Sequence, residues 1–303
     1  MAHHVVKKTD ALDLVVPSHF KGRSSGYRGD LVVGEHTEAV HTGISISVLD
    51  SGGHVDTHLH SFEESFFVVE GEVIIDRPDG SFRASEGDYG LIPVGVPHAL
   101  RNLSDEPVRL IEVACPTPRA RLDYDTYFPP ALRPPDSIFD LDVRDPRNRD
   151  FGHIDRENSD PNQQTQDRLS LSASMRTALL VYSGITVKMM IDSDLGADLH
   201  IMFMVQYEPY GVAGPHDHPL EEAYIILDGE VLSRFDGVEY MLGPGDVAWS
   251  GVGCVHEFHN QSGDRVRWLE TASPQPPGRH AYRFRRDWVY LEQALAEESE
   301  GPD

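Results

Sequence analysis

Three histidines and one carboxylate stand at a fixed spacing, twice. His58, His60, Glu64 and His98 recur as His216, His218, Glu222 and His256, each 158 residues downstream. Gly71, Gly87 and Asn102 recur in step as Gly229, Gly245 and Asn260. Residues 52–118 align on 210–276 without a gap and share 21 of 67 positions, which reads as an internal duplication. Imidazole with carboxylate suits a mid-first-row divalent ion. In a strand, residues i and i+2 face the same side, so His58 and His60 project together, as do His216 and His218. Four protein ligands on an ion that takes six leave two positions open, which is the plan of a catalytic site. A closed structural zinc site is not expected, since the pattern holds no cysteine.

The elements that must carry these ligands read as short strands. In the first unit they are residues 43–49, 65–69, 72–76, 89–92 and 108–114, with a turn at Arg77-Pro78-Asp79-Gly80. In the second they are residues 201–207, 223–227, 230–234, 247–249 and 266–272, with a turn at Asp236-Gly237. Many short strands punctuated by Gly, Pro and Asp predict an all-β sandwich or barrel. The expected organisation is an N-terminal barrel over 1–128, an extended linker over 129–180 and a C-terminal barrel over 181–303. The linker is rich in Pro, Asp, Arg and Asn, and one short helix is expected near residues 136–143. The tail, residues 292–303, is acidic and expected to be a frayed helix, and the aromatic, basic stretch 282–290 is expected to pack on a barrel.

The motif spacing resembles the cupin superfamily at every signature position of the first unit. Motif one runs from Gly52 through His58, His60 and Glu64 to Gly71; motif two runs from Gly87 through Pro93 and His98 to Asn102. The second unit departs in two non-ligand places: Tyr210 replaces the opening glycine, and Gly251 replaces the proline of motif two. The resemblance implies two tandem jelly-roll barrels, each able to hold one divalent metal, Fe(II) or Mn(II) first and Ni, Co or Zn otherwise. Two-barrel dioxygenases of the quercetinase and gentisate type resemble the chain in architecture. They imply oxidation by O2 of an enol or diol on an aromatic or apolar substrate. A redox-neutral decarboxylase, hydrolase or isomerase is the alternative, and a non-enzymatic small-molecule binder is the third. Oxalate decarboxylase is similar in ligands but carries an arginine three residues before the first histidine, where Val55 and Ala213 stand here.

Strand parity adds further residues. Phe66 and Tyr224 follow the Glu ligands by two and should face inward, which makes Tyr224 the candidate acid–base group. Leu100, Val96, Cys254 and Phe258 should also face inward. Glu63 and Glu221 should point outward, as surface charge. The formal net charge of −24 disfavours nucleic acid and anionic membranes as partners. No apolar run approaches a membrane span, and the N-terminus lacks a signal-peptide plan, so a cytoplasmic protein is expected. Cys115 and Cys254 are expected as free thiols. The resemblance also implies a homodimer paired through exposed sheet edges.

Overall fold

The structure is a computed structural model that describes residues 4–133, 137–141, 150–163, 177–180, 183–275 and 283–284. The expected all-β fold is present as two barrels in tandem, and helix among the described residues is limited to short 3-10 turns. In the first barrel one long strand, Gly43–His60, spans both walls. Its first half pairs with Val108–Cys115 and its second half with His98–Arg101. The register slips between Val55 and His58, and such a bulge re-aims the side chains that follow it. The long strand was not legible as one element, because Gly52 and Gly53 interrupt its apolar pattern.

The second barrel breaks the equivalent run into Ile201–Tyr207 and Val212–Asp217, and its walls form separate sheets of seven and five strands. The break is at Tyr210, whose φ of 62° matches the 68° of Gly52 at the same place in the first unit. The left-handed turn is thus kept without glycine. A non-glycine residue there costs roughly 1–2 kcal/mol.

Apolar side chains form three cores. One fills the first barrel around Phe66, Val68, Ile75, Phe82 and Leu100. One fills the second around Phe203, Tyr224, Phe235, Phe258 and Trp268. The third lies between the barrels, where Ile44, Ile46, Phe67 and Val113 meet Met202, Met204, Ile225 and Trp249. Strand alternation explains this: Phe66 and Val68 face into their barrel, while Phe67 faces the other one.

The barrels also exchange chain. The strand His4–Lys7 pairs with Val247–Ser250 of the second barrel. The strand Phe151–His153, from the segment between the repeats, pairs with Asp88–Ile92 of the first. The arm that precedes each repeat therefore completes the opposite barrel. Repeat-equivalent aspartates receive the arms. Asp88 binds His153 Nδ1 at 2.7 Å, and Asp246 accepts the Thr9 N–H at 2.8 Å and pairs with Lys8.

Two expectations are corrected. Glu63 and Glu221 do point out of their barrels, but they are only 4% and 3% exposed, because outside one barrel here means inside the interface. The Glu63 carboxylate accepts the N–H groups of Asp198 and Leu199 and the His200 Nδ1 proton. Glu221 accepts the N–H groups of Val40, His41 and Thr42. These targets are themselves 158 residues apart, so each repeat latches the strand entry of the other. The short helix expected near residues 136–143 is, in its described part, a strand: Ile138–Asp140 runs parallel to Ser81–Arg83. Residues 292–303 lie outside the described residues. Of 282–290, only the strand Arg283–Phe284 is described, paired with His216 and Asp217.

Candidate metal centres

The end of the long strand delivers His58 and His60, the next strand delivers Glu64, and Gly43–His60 pairs with the strand that delivers His98. The four side chains offer donor atoms that all lie within 4.8 Å of one another. Glu64 Oε2 stands 3.2 Å from His60 Nε2 and 3.1 Å from His98 Nε2.

The outer ring nitrogens fix the tautomers. His58 Nδ1 donates to the Asp56 carbonyl at 2.8 Å, and His98 Nδ1 donates to the Val96 carbonyl at 3.1 Å. His60 Nδ1 is 3.0 Å from the Thr126 hydroxyl, which itself donates to the Tyr124 carbonyl and so can only accept from the ring. A carbonyl cannot donate, so each Nε2 carries a lone pair directed inward. Lone pairs of Nε2 and of a carboxylate then face each other across about 3 Å, a repulsive arrangement unless a cation stands between them. Glu64 Oε2 and His98 Nε2 are buried without a hydrogen-bond partner. The donor set therefore fits a divalent metal ion. Burial and the neighbouring imidazoles hold the His58 ring well below its usual pKa, which keeps it neutral and able to ligate.

The second cluster is similar but not identical. His218, Glu222 and His256 offer atoms within 4.8 Å of one another, and His216 is not in that group. The His216 ring stands against His256, with centroids 4.2 Å apart, and is 6.3 Å from His218. All three rings again direct Nδ1 at backbone carbonyls, of Gly214, Leu220 and Cys254. Glu222 Oε2 lies 2.7 Å from His218 Nε2, and the same oxygen accepts the Tyr224 hydroxyl at 2.8 Å. The Glu222 carboxyl is held at about 2: burial opposes this, and the His218 charge and hydrogen bond, the His256 charge and the Tyr224 hydroxyl outweigh it. Tyr224 is fully buried between Phe235 and Phe258, and burial next to Glu222 raises its phenol well above 10.

A cavity of about 550 Å³ opens on the first cluster. His58, His60 and Glu64 line its floor; Phe20, Phe62, Val55 and Leu100 give it apolar walls. Its wall also holds Glu112, which the motif did not single out. Tyr27 donates its hydroxyl to Glu112 Oε2 at 2.7 Å. Burial, and then repulsion from Glu64, raise the Glu112 carboxyl to about 7. The repeat did hold a signal for it, since Glu112 and Glu270 are an identical pair in the alignment. Tyr27 lies outside the aligned region, and nothing in the spacing marks it. Leu100, Cys254 and Phe258 face inward as expected, in the barrel cores. Val96 is half-buried in a loop.

Comparison with known proteins bears on the same two units. The cupin-domain family model matches residues 45–114 and 203–272. Among curated proteins, the polyketide synthase CurC of Streptomyces cyaneus is 33% identical over 70 residues, which are 22% of this chain. The match spans 45% of that protein, less than half its length. Among solved structures, oxalate decarboxylase of Lactobacillus farciminis in its formate complex aligns with a TM-score of 0.62 at 14% identity, covering 97% of this chain and 92% of that one. A putative glyoxylate-induced protein of Pseudomonas aeruginosa aligns at 0.62 and 17%, covering 93% and 91%. Protein YlbA of E. coli aligns at 0.61 and 14%, covering 89% and 90%. Identities this low speak for a shared fold. No helix among the described residues is long and apolar enough to cross a membrane.

Proposed function

The chain is a two-domain member of the cupin superfamily, and from that premise we propose that its first barrel is a metal-dependent active site. The chemistry we assign to it is redox-neutral proton transfer on a small organic substrate. The observation that carries this reading is the Tyr27–Glu112 pair, set in the wall of the same cavity whose floor is lined by His58, His60 and Glu64 of the donor cluster. A divalent ion such as Mn(II) or Fe(II) held by those four residues would act as a Lewis acid that polarises a carbonyl or carboxylate oxygen. Once Glu64 is neutralised by such an ion it no longer repels Glu112. Glu112 then takes a proton from carbon or water, and the Tyr27 hydroxyl holds the carboxylate in place. Burial, which remains when the ion is bound, keeps the Glu112 carboxyl above its usual range and so suited to accept a proton.

The apolar walls favour a substrate with an organic body over a bare dianion. The decarboxylase among the structural neighbours belongs to the same redox-neutral class, and the walls argue for a larger substrate than oxalate. In the second barrel Tyr224 is spent on Glu222, so its role there is to position that carboxylate. His218, Glu222 and His256 would hold a second ion there, with His216 standing outside their donor group.

A dioxygenase is the second reading, favoured by the aromatic rings Phe20 and Phe62 at the cavity wall. The deciding experiment is turnover of a panel of enolisable keto acids, β-dicarbonyls and catechols by Mn-loaded protein under strict anaerobiosis. Anaerobic turnover that is lost in His98→Ala and kept in His256→Ala supports the proposal. Turnover only with stoichiometric O2 uptake transfers the assignment to the dioxygenase.

A further inference from the structure

A third donor cluster shares no side chain with either histidine–glutamate cage and adjoins the second of them. His4, Asp236 and Cys254 offer one nitrogen, one oxygen and one sulfur, all within 4.8 Å of one another. They come from three separate parts of the chain. His4 opens the exchanged N-terminal strand, Asp236 sits at a hairpin tip with φ 48°, and Cys254 lies in the loop before His256. We propose that these three residues form a mixed N, O, S site for a thiophilic divalent ion such as Zn(II), which clips the N-terminal arm to the second barrel.

The donors are already oriented. Cys254 is 1% exposed, so its sulfur is fixed by packing. The hairpin and the loop are locked together, because Asp236 N–H donates to the Val255 carbonyl at 2.7 Å and Val255 N–H donates to Asp236 Oδ1 at 3.0 Å. The His4 ring stacks on Phe235 at 5.6 Å and bonds the Tyr240 hydroxyl through Nε2 at 2.9 Å. Sulfur with imidazole and carboxylate is a zinc-type donor set, and three protein ligands leave a fourth tetrahedral position for water. Binding replaces the thiol S–H bond with a metal–sulfur bond and releases the proton to solvent.

Among the described residues the first barrel shows no counterpart. The repeat-equivalent positions of Asp236 and Cys254 are Pro78 and Val96. The cluster thus belongs to one barrel alone, at the point where the strand His4–Lys7 docks. Holding that strand closes a loop of more than 230 residues (from His4 to Asp236). An ion bound only when the arm is docked stabilises the docked state.

Co(II) titration of the full-length protein is the test. Thiolate ligation gives a near-ultraviolet sulfur-to-cobalt charge-transfer band, which the two histidine–glutamate cages cannot produce because they hold no sulfur. The band is expected to saturate at one ion per chain and to vanish in Cys254→Ser. His4→Ala, a change at a half-buried edge position that leaves the barrel intact, is expected to weaken Co(II) at this band by about tenfold or more. The absence of the band at saturating Co(II), its survival in Cys254→Ser, or an unchanged affinity in His4→Ala overturns the proposal.

Discussion

Glu112 carries more of the functional argument than any metal ligand, because ligands alone do not choose a reaction. Replacing it with Gln keeps the shape and removes the proton acceptor. Activity of the first barrel is expected to fall by about 10²–10⁴-fold with metal content unchanged. The limb of the pH–rate profile set by its raised carboxyl should disappear with it. Metal analysis beside steady-state rates checks both parts; an unaltered profile in Glu112→Gln removes Glu112 from the mechanism. Spacing and repetition mark six histidines and two glutamates as expected ligands, and the structure gathers all of them but His216 into two donor groups. Glu112 was half-legible, as one identity among 21. Tyr27 was illegible, since its partner is supplied by a strand 85 residues away.

At the scale of elements, turns and arms set the ligand geometry. Gly71 and Gly229 have φ of 81° and 73°, and a Cβ at either would stand 2.6 Å from the carbonyl of Pro107 or Arg265. Gly71→Ala should therefore cost about 2–3 kcal/mol. Gly52→Ala meets nothing within 4 Å and should cost only the left-handed backbone penalty, about 1 kcal/mol. Denaturant unfolding of the two variants side by side tests the difference. The exchanged strand Phe151–His153 makes a prediction of another kind. Its His153 ring is raised to about 9, first by the Asp88 hydrogen bond, with burial opposing. A raised histidine contributes stability that is complete below its unfolded value of about 6.5 and is lost as pH rises through about 9. Amide exchange at residues 151–153 should quicken across that window beyond the intrinsic rate, and His153→Ala should abolish the step. Individual strands were legible from alternation and turn residues. The two exchanged arms were not, because short polar-flanked strands hold no record of which barrel they join.

At the scale of the whole molecule, the duplication became a reciprocal embrace. Each repeat sends a glutamate to the other's strand entry and an arm to the other's sheet edge. Glu221→Ala leaves the N–H groups of Val40, His41 and Thr42 without their acceptor in the interface, at an expected cost of about 3–5 kcal/mol. Unfolding, expected as one transition in the parent chain, should then separate into two, one per barrel; a variant that still unfolds in one step at unchanged denaturant refutes the latch. Parity showed which way Glu63 and Glu221 point. It could not show that a second barrel waits there, because an outward carboxylate reads the same beside water or beside a partner sheet.

The two barrels are alike in fold and unequal at their centres, and the proposed activity belongs to the first. Anomalous diffraction from crystals grown with Mn(II) tests it most directly. A peak is expected in the first barrel within coordination distance, about 2.0–2.3 Å, of Nε2 of His58, His60 and His98 and of a Glu64 oxygen. A first barrel without a peak at saturating Mn(II), whatever the second barrel holds, contradicts it.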